Sequence, residues 1–352
     1  MKKLIIVNVN QFGFHTDSYY LAKISSGKWN VTYICWDYGF PRVDSGKVNV
    51  LYLSRDGGVF KRLFSFLCNV HIQIKEQRPD LVFVKYFMFC SLISKNFGSK
   101  TIVDYRTVSV DANPLRRFIQ DAVAKIEAKF FKKRSAISNA VKVNYALGSG
   151  CLILPLGANK VAPHLGSNFF DILYVGTLSG RKIEDTIVGF SSFLANKSAE
   201  VKKKIRYLIV GDGWAGEVDY LKSLVEKYNL SDNVHVLGRK SHEEVQDYLR
   251  TAALGVSYVP MTRFFDLQPP TKTYEYLLAG LPVIATKTTA NLDVMDDAYG
   301  VTITDNPEEF SLALGKIFEN HVHYINNVRT ADFDCYTWEN IVNRFMREVE
   351  YE

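Results

Sequence analysis

The sequence has no apolar run of about 18 residues, the length that a membrane-spanning helix requires. Its longest apolar stretch, 81–93, is shorter and is interrupted by Lys85. The apolar run after Lys2 and Lys3 is brief and has no small-residue cleavage site, so we interpret it as a first strand rather than a signal peptide. These absences favour a cytoplasmic protein.

The sequence also has no obvious disulfide framework, metal-ligand cluster or catalytic triad. The five cysteines are scattered and have no Cys-x-x-Cys spacing, which favours reduced thiols in the cytosol over disulfides or a zinc site. Asp332 and Asp334 form the only Asp-x-Asp, beside a C-terminal helical pattern, so we expect no metal. No Ser/His/Asp or Cys/His grouping stands out.

The composition indicates two folded domains. The chain has 352 residues, of which 47% are hydrophobic and 13% aromatic, enough for two sizeable cores. The net charge of +6 is compatible with nucleic acid, anionic lipid or phosphorylated ligands. Residues 115–134 include seven basic residues and only two acidic ones, Asp121 and Glu127.

Strand patterns alternate with helical patterns in both halves. In the first half we predict strands at 3–9, 31–36, 48–53, 81–84, 101–104, 136–137 and 152–154. In the second half we predict them at 172–175, 205–210, 234–237, 254–259 and 283–286. Between them, 155–167 is punctuated by proline and glycine and is interpreted as a linker. The alternation predicts two doubly wound parallel sheets, whose ligands bind outside the carboxyl ends of the strands.

The stretch 264–286 carries the strongest motif. Pro269 and Pro270 precede a short helix that starts near Thr271, and the free amides of such a helix start attract anions. Lys272 adds a positive charge there, and Glu275 one turn later can accept from a sugar hydroxyl. The alternative is an ordinary capped helix with a solvated Lys–Glu pair.

Two glycine-rich loops follow predicted strands. In 174–182, Gly176 lets backbone amides approach a phosphate, and Arg181 and Lys182 supply charge; the alternative is a solvated turn with surface cations. The second, Gly211-Asp-Gly-Trp-Ala-Gly216, fits the dinucleotide fingerprint and raises the alternative of an NAD(P)-dependent oxidoreductase. Its acidic partner Asp232 precedes the next strand instead of ending it.

The string at 270–285 resembles the donor-site motif of family-4 glycosyltransferases, which have the GT-B fold. Glu275 matches the second Glu of their Glu-x7-Glu pattern, which contacts the nucleotide ribose, while the first falls on Leu267 beside Asp266. Gly176 and Lys182 match a Gly-x5-Lys that binds the donor diphosphate. The run 210–238 resembles the second domain of these enzymes.

The resemblance implies a fold of two Rossmann-like domains that face a cleft. We expect an acceptor domain at 1–157, a linker at 158–168, a donor domain at 169–335, and a C-terminal helix at 336–352 that crosses back to the first domain. The implied activity is that of a bacterial hexosyltransferase that retains anomeric configuration, in polysaccharide or glycolipid biosynthesis. The partners would be a nucleotide-diphosphate sugar and a saccharide or lipid-linked saccharide acceptor, with no metal, cofactor or nucleic acid.

The resemblance also implies the site residues. The catalytic candidates are Arg181, Lys182, Lys272 and Glu275. The donor-binding candidates are Gly176, Thr177, Gly211, Gly213, Gly238, Arg239, Lys240, Pro270 and Thr271, with Arg239 and Lys240 in the loop that meets the nucleobase. The acceptor-binding candidates are Gly13, His15, Asp104 and Arg106. For these the alternatives are a His with an ordinary structural role and a structural Asp–Arg pair.

Two amphipathic stretches, 59–75 and 115–134, carry apolar stripes beside basic residues. Such helices can lie on an anionic membrane, here its inner face, or can turn an apolar stripe to the core. A non-catalytic, membrane-associated GT-B-like protein is therefore a further alternative.

Overall fold

The computed structural model describes residues 1–109, 111, 113–161, 165–267 and 271–351. It divides into two compact units, one of residues 1–156 with 338–352 and one of residues 157–337. The segment 158–168, predicted as a linker, falls in the second unit, and residues 162–164 lie outside the described part. No helix in the described ranges has the length and apolar content to cross a membrane.

Strands and helices alternate along most of the chain, as the apolar patterns predict, and within each unit only the strands Asn30–Trp36 and Asn49–Leu53 follow each other without a helix between them in the described residues. The strands are β1 Lys3–Val7, β2 Asn30–Trp36, β3 Asn49–Leu53, β4 Leu81–Lys85, β5 Thr101–Tyr105, β6 Lys133–Ala136, β7 Cys151–Ile153, β8 Phe170–Val175, β9 Ile205–Val210, β10 Val234–Gly238, β11 Leu254–Ser257, β12 Val283–Thr286 and β13 Gly300–Ile303. The helices are α1 Thr16–Ser25, α2 Val59–Gln77, α3 Ser91–Phe97, α4 Pro114–Ala128, α5 Asn139–Asn144, α6 Ile183–Ala195, α7 Ala199–Lys202, α8 Glu217–Lys227, α9 His242–Thr251, α10 Arg263–Leu267, α11 Thr271–Leu278, α12 Thr289–Leu292, α13 Pro307–Glu319, α14 His321–Thr330 and α15 Trp338–Tyr351.

In the first unit the described strands form a parallel sheet in the order β3-β2-β1-β4-β5-β6-β7. The chain leaves β1 toward β2 and β3, then returns to build the other half. Because crossovers between parallel strands are right-handed, α1 lies on one face and α2, α3 and α4 lie on the other. The C-terminal helix α15 packs on α1, where the rings of Tyr20 and Trp338 stack 5.0 Å apart.

The described strands of the second unit form a parallel sheet in the order β10-β9-β8-β11-β12-β13. The prediction of five strands is wrong here, because it missed β13. That strand has four residues at the sheet edge, and two of its side chains are only half-buried, so its apolar pattern is weak. The backbone of its first residue, Gly300, runs so close to β12 that a Cβ would lie 1.9 Å from the Val283 carbonyl oxygen.

The inner strands of both sheets are buried on both faces, as in β1 and β8. This explains why continuous apolar runs predicted them correctly. The predicted fold class, with two doubly wound parallel sheets, is confirmed. The core-facing interpretation of the apolar stripe at 115–130 is wrong, because Leu115, Ile119, Ile126 and Phe130 are each at least half exposed.

Candidate functional site

Three glycine-containing loops meet at the carboxyl edge of the second unit's sheet. The Gly176 amide donates to the Val210 carbonyl at 2.9 Å, and the Gly211 amide donates to the Gly238 carbonyl at 2.9 Å. A Cβ on Gly211 would lie 1.8 Å from the Gly176 carbonyl oxygen, so any side chain there would collide with backbone. The structure thus brings together three predicted donor residues from the ends of β8, β9 and β10.

Helix α11 is held against this sheet by buried polar contacts. The hydroxyl of the fully buried Tyr276 accepts a hydrogen bond from the Val175 amide at 2.9 Å. Its ring crosses β11 at Gly255, where a Cβ would lie 2.3 Å from the ring. The Thr273 hydroxyl donates to the Asn291 side-chain oxygen at 2.8 Å. These contacts fix the helix start next to the end of β8.

Lys272 and Glu275 project from that helix start and form an ion pair. The Lys272 Nζ lies 2.8 Å from Glu275 Oε2, and both side chains are about a quarter exposed. The Lys272 Cε lies 3.7 Å from the Cβ position of Gly176. A positive charge, a carboxylate and the β8 loop backbone therefore share one location. Thr271 is half-buried beside them, and Pro270 lies outside the described residues.

The two cations of the 174–182 loop turn to different partners. The Arg181 guanidinium lies 4.2 Å from the centre of the Phe265 ring in α10, and partial burial lowers its pKa. Lys182 has a left-handed φ of 54° before α6, and its Nζ lies 3.2 Å from Asp305 Oδ2, which raises its pKa. Thr177 is exposed and offers its carbonyl to the Tyr174 hydroxyl at 2.6 Å. The roles of these residues toward a donor stay predictions.

Asp266, the acidic residue next to the position of the first motif Glu, is engaged elsewhere. Its Oδ1 accepts hydrogen bonds from the Thr289 amide at 2.8 Å and from the Thr289 hydroxyl at 3.1 Å. These bonds tie α10 to the start of α12. Asp266 therefore has a structural role that its place in the motif did not suggest.

A carboxylate occupies the helix start that follows the Gly211–Gly216 fingerprint. Glu217 Oε2 accepts from the Trp214 amide at 3.2 Å and from the Ser179 hydroxyl. A Cβ on Gly213 would lie 2.2 Å from this oxygen. In dinucleotide enzymes the pyrophosphate sits at this position, where a carboxylate would repel it. The geometry therefore disfavours the oxidoreductase alternative.

The predicted nucleobase loop begins at Gly238, which has a left-handed φ of 67°. Arg239 is exposed. Lys240 lies 3.1 Å from Glu244, and this ion pair raises the pKa of Lys240. Glu244 also closes a capping box with Ser241 at the start of α9. A nucleobase role for Arg239 and Lys240 stays a prediction.

The acceptor candidates of the first unit begin with the loop after β1. Gly13 has a φ of 88°, and a Cβ there would lie 2.4 Å from a methyl of Val43, so the loop needs glycine. His15 caps α1, because its Nδ1 accepts from the Ser18 amide at 3.3 Å. Burial and the nearby Lys85 ammonium lower the pKa of His15 to about 3. His15 is therefore a neutral capping residue at pH 7.

Asp104 and Arg106 form a buried network at the end of β5. Arg106 lies 2.5 Å from Asp17 Oδ2 and 3.6 Å from Asp104 Oδ2, while the Ser135 hydroxyl donates to Asp104 at 2.7 Å. The pKa of Asp104 is raised because its burial outweighs the attraction of Arg106. This geometry corresponds to the structural pair, and a role in acceptor binding stays a prediction.

Sequence reasoning missed Lys85 and Asp17 as members of this network. Lys85 ends β4 directly beside Asp104 in the parallel register, and its Nζ donates to Asn10 Oδ1 at 2.7 Å. Burial lowers the pKa of Lys85 to about 8. Its position at a strand end was the available signal, which the prediction treated only as an interruption of an apolar run.

Among the residues that the structure describes, no group of three or more His, Cys, Asp or Glu side chains is arranged to hold a metal ion.

The second unit matches a known family by sequence. Residues 170–320 match the model of the family described as glycosyl transferases group 1. The resemblance predicted from 270–285 is confirmed on this part of the chain. No curated protein matches the chain by sequence.

Solved structures resemble the whole chain. Sucrose-phosphate synthase from Thermosynechococcus elongatus has a TM-score of 0.76 at 17% identity, covering 100% of this chain and 99% of that one. HepE from Anabaena, solved in complex with UDP, has a TM-score of 0.73 at 15% identity, covering 100% of both chains. A glycosyltransferase from Rickettsia africae has a TM-score of 0.74 at 13% identity, covering 99% of this chain and 98% of that one. The fold is therefore GT-B.

Proposed function

We propose that this protein transfers a hexosyl group from a nucleotide-diphosphate sugar. The proposal starts from the match of residues 170–320 to the model of the glycosyl transferases group 1 family. The acceptor is a saccharide or a lipid-linked saccharide, and the reaction retains anomeric configuration. The product belongs to polysaccharide or glycolipid biosynthesis, and the reaction needs no metal ion. These finer features rest on the family resemblance.

The observation that carries the proposal is the position of Lys272. Its side chain lies against Gly176, where backbone amides follow the end of β8, and it pairs with Glu275 at 2.8 Å. A departing nucleoside diphosphate carries negative charge that an ammonium group and a helix start stabilise together. A donor diphosphate bound at this edge of the sheet would contact both the Lys272 ammonium and the loop after β8.

Each nearby polar residue then has a role. Lys272 and Arg181 stabilise the leaving diphosphate, and Lys182 can join them by leaving its exposed pair with Asp305. Such preorganised charge is usually the largest single contribution to catalysis. Glu275 accepts a hydrogen bond from the ribose while its pair with Lys272 holds both side chains in place.

The chemistry requires no general base from the protein. The acceptor hydroxyl attacks the anomeric carbon from the face that the diphosphate leaves, and a phosphate oxygen of the leaving group takes the hydroxyl proton. This route keeps the anomeric configuration. It also removes the need for a metal, because the positive charge of Lys272 and Arg181 offsets the charge that develops on the phosphate.

HepE from Anabaena supports UDP as the first nucleotide to test, because it is described in complexes with UDP and with UDP-glucose. The experiment follows the release of nucleoside diphosphate from UDP-, GDP- and ADP-hexoses, with and without simple glycoside acceptors. We expect one donor to be consumed, and we expect Lys272→Ala to lower the rate about 100-fold or more. Lys222→Ala, an exposed change on α8, is the matched control.

Three outcomes would contradict the proposal. Loss of rate in Lys222→Ala equal to that in Lys272→Ala would remove the specific role of Lys272. A product with inverted anomeric configuration, seen by NMR, would refute the retaining mechanism. Failure to consume any donor, together with failure to bind any nucleotide, would favour the non-catalytic alternative.

A further inference from the structure

The helical layer α2–α4 of the first unit has an unusually apolar outer surface. Of the 24 large apolar side chains that are exposed in the described residues, 12 lie between positions 59 and 130, about a fifth of the chain. Soluble proteins rarely expose apolar residues in such concentration without a partner. We define the apolar patch as six of them, each more than half exposed: Phe60, Phe64, Leu115, Phe118, Ile126 and Phe130.

The patch belongs to one face of the unit. Helices α2, α3 and α4 lie on the side of the sheet opposite α1 and α15. Helix α2 packs on α3, and α3 is joined to α4 because the Ser91 amide donates to Glu127 at 3.1 Å. The exposed residues of α2 and α4 therefore look out from one continuous helical layer.

Around the α4 part of the patch the exposed charge is of one sign, because the acids of α4 point inward. Asp121 is buried and accepts from the Ser109 amide at 3.1 Å and the Tyr145 hydroxyl at 3.0 Å. Glu127 is buried and accepts from the Phe89 amide at 3.0 Å, besides the Ser91 amide. No acidic side chain is exposed among residues 113–132.

The cations of the same segment remain outside. Arg116, Lys125, Lys129 and Lys132 are exposed on or just after α4, and Lys61 is exposed beside Phe60 on α2. Exposed aromatic and aliphatic side chains flanked by basic residues are the pattern of helices that lie in the interface of an anionic bilayer.

We propose that the outer surface of α2–α4 docks on an anionic membrane. The apolar patch enters the headgroup region, and the flanking cations contact anionic lipid headgroups. This proposal goes beyond the transfer reaction and does not depend on the donor site, because all of its residues lie in the first unit.

A second copy of the chain fits this surface less well. A symmetric dimer through the patch would bring together two like surfaces, each of which carries Arg116, Lys125 and Lys129. Like charges brought together at an interface oppose association, whereas an anionic bilayer neutralises all of them.

The test is flotation of the full chain with lipid vesicles. Neutral phosphatidylcholine vesicles are compared with vesicles that contain about 30% phosphatidylglycerol, at about 0.1 M and about 0.5 M NaCl. We expect binding to the anionic vesicles at low salt, with a marked loss at high salt. Each cation contributes about fivefold to the partition coefficient, so Lys125→Glu with Lys129→Glu should lower it about thirtyfold or more.

Apolar variants separate docking from simple charge attraction. Phe118→Ser with Ile126→Ser should lower binding to anionic vesicles at least about tenfold, because both side chains are exposed apolar groups. The controls change exposed residues of the second unit, Leu312→Ser and Lys222→Glu, and should bind as the wild type does. Circular dichroism checks that each variant is folded.

Three results would overturn the proposal. Absence of binding to anionic vesicles would refute it directly. Equal binding by the wild type, by Lys125→Glu with Lys129→Glu, and by Phe118→Ser with Ile126→Ser would show that the lipid contact lies elsewhere. A dimer in light scattering that Phe118→Ser with Ile126→Ser dissolves, without any vesicle binding, would assign the patch to a second copy.

Discussion

Replacement of Gly211 by alanine tests the close approach of the loops that build the donor site. The new Cβ would lie 1.8 Å from the Gly176 carbonyl oxygen, about 1.6 Å inside ordinary van der Waals contact. Because the obstacle is backbone, the loops after β8 and β9 must separate. That movement breaks or lengthens the bonds of Gly176 to Val210 and of Gly211 to Gly238, both 2.9 Å.

The expected cost follows from these contacts. Two weakened hydrogen bonds cost about 1 kcal/mol each, and strain in a packed region adds about 1–3 kcal/mol. We therefore expect Gly211→Ala to lower the free energy of unfolding by about 3–5 kcal/mol. Gly315→Ala is the matched control, because Gly315 lies in α13 with open space around its Cβ position. Helix propensity predicts a gain of up to about 1 kcal/mol there.

Urea unfolding of both variants, followed by circular dichroism, measures these changes. Hydrogen exchange of peptides that cover 170–180 and 205–215 locates the loss in Gly211→Ala. A Gly211→Ala protein within about 1 kcal/mol of wild type, with unchanged exchange in both peptides, would refute the described contact between the loops.

Three further predictions concern single contacts. The pKa of His15 is about 3 in the folded protein and about 6.5 in the unfolded chain. Below pH 6.5 the unfolded chain therefore binds a proton that the folded protein does not, and the free energy of unfolding decreases as the pH decreases. At pH 5 the free energy of unfolding is lower than at pH 7 by about 2 kcal/mol at most, and we expect about half of that because the ring is partly exposed. Urea unfolding at pH 7 and pH 5 should show a smaller difference for His15→Asn. An unchanged pH dependence in this variant would contradict the assignment. Tyr276→Phe leaves the buried Val175 amide without its acceptor, so thermal and urea unfolding should show a loss of about 1–3 kcal/mol, and an unchanged stability would exclude that bond. Lys182→Ala should lower donor turnover about 100-fold and leave the unfolding curve unchanged; near-normal turnover would end its catalytic role.

The apolar runs predicted the two parallel sheets because inner strands such as β1 and β8 are buried on both faces. Edge strand β13 lacked this signal, since its four residues begin with glycine and two of its side chains are half-buried. The apolar pattern therefore predicts strands whose side chains are buried on both faces, and it misses an edge strand whose side chains are only partly buried.

The candidate donor site depends on contacts between distant parts of the chain. Each glycine motif was visible in the sequence, but the approach of Gly211 to Gly176 depends on the pairing of β8 with β9. The position of Lys272 likewise depends on the bond of Tyr276 to Val175, which are 101 residues apart. Local patterns identify such residues without locating them.

Helix α4 shows why a periodic stripe does not specify which side is buried. Its Asp121 and Glu127 face inward because backbone amides at Ser109 and Ser91 donate to them. The apolar stripe is consequently exposed. The hydrogen-bond partners of both acids lie outside the helix. Helical periodicity alone could therefore not show that the acids face inward and the apolar stripe faces outward.

The proposed function requires the second unit to bind a nucleoside diphosphate that contacts both Lys272 and the loop at Gly176. Isothermal titration of UDP, GDP, ADP and NAD(P) into the wild type and into Lys272→Ala, with Lys222→Ala as control, tests it most directly. We predict that one nucleoside diphosphate binds to the wild type and the control, and that Lys272→Ala binds it at least about tenfold more weakly, since a charge-assisted contact contributes about 1.5–3 kcal/mol. Binding of NAD(P) alone, or equal nucleotide affinity in Lys272→Ala and the wild type, would contradict the claim.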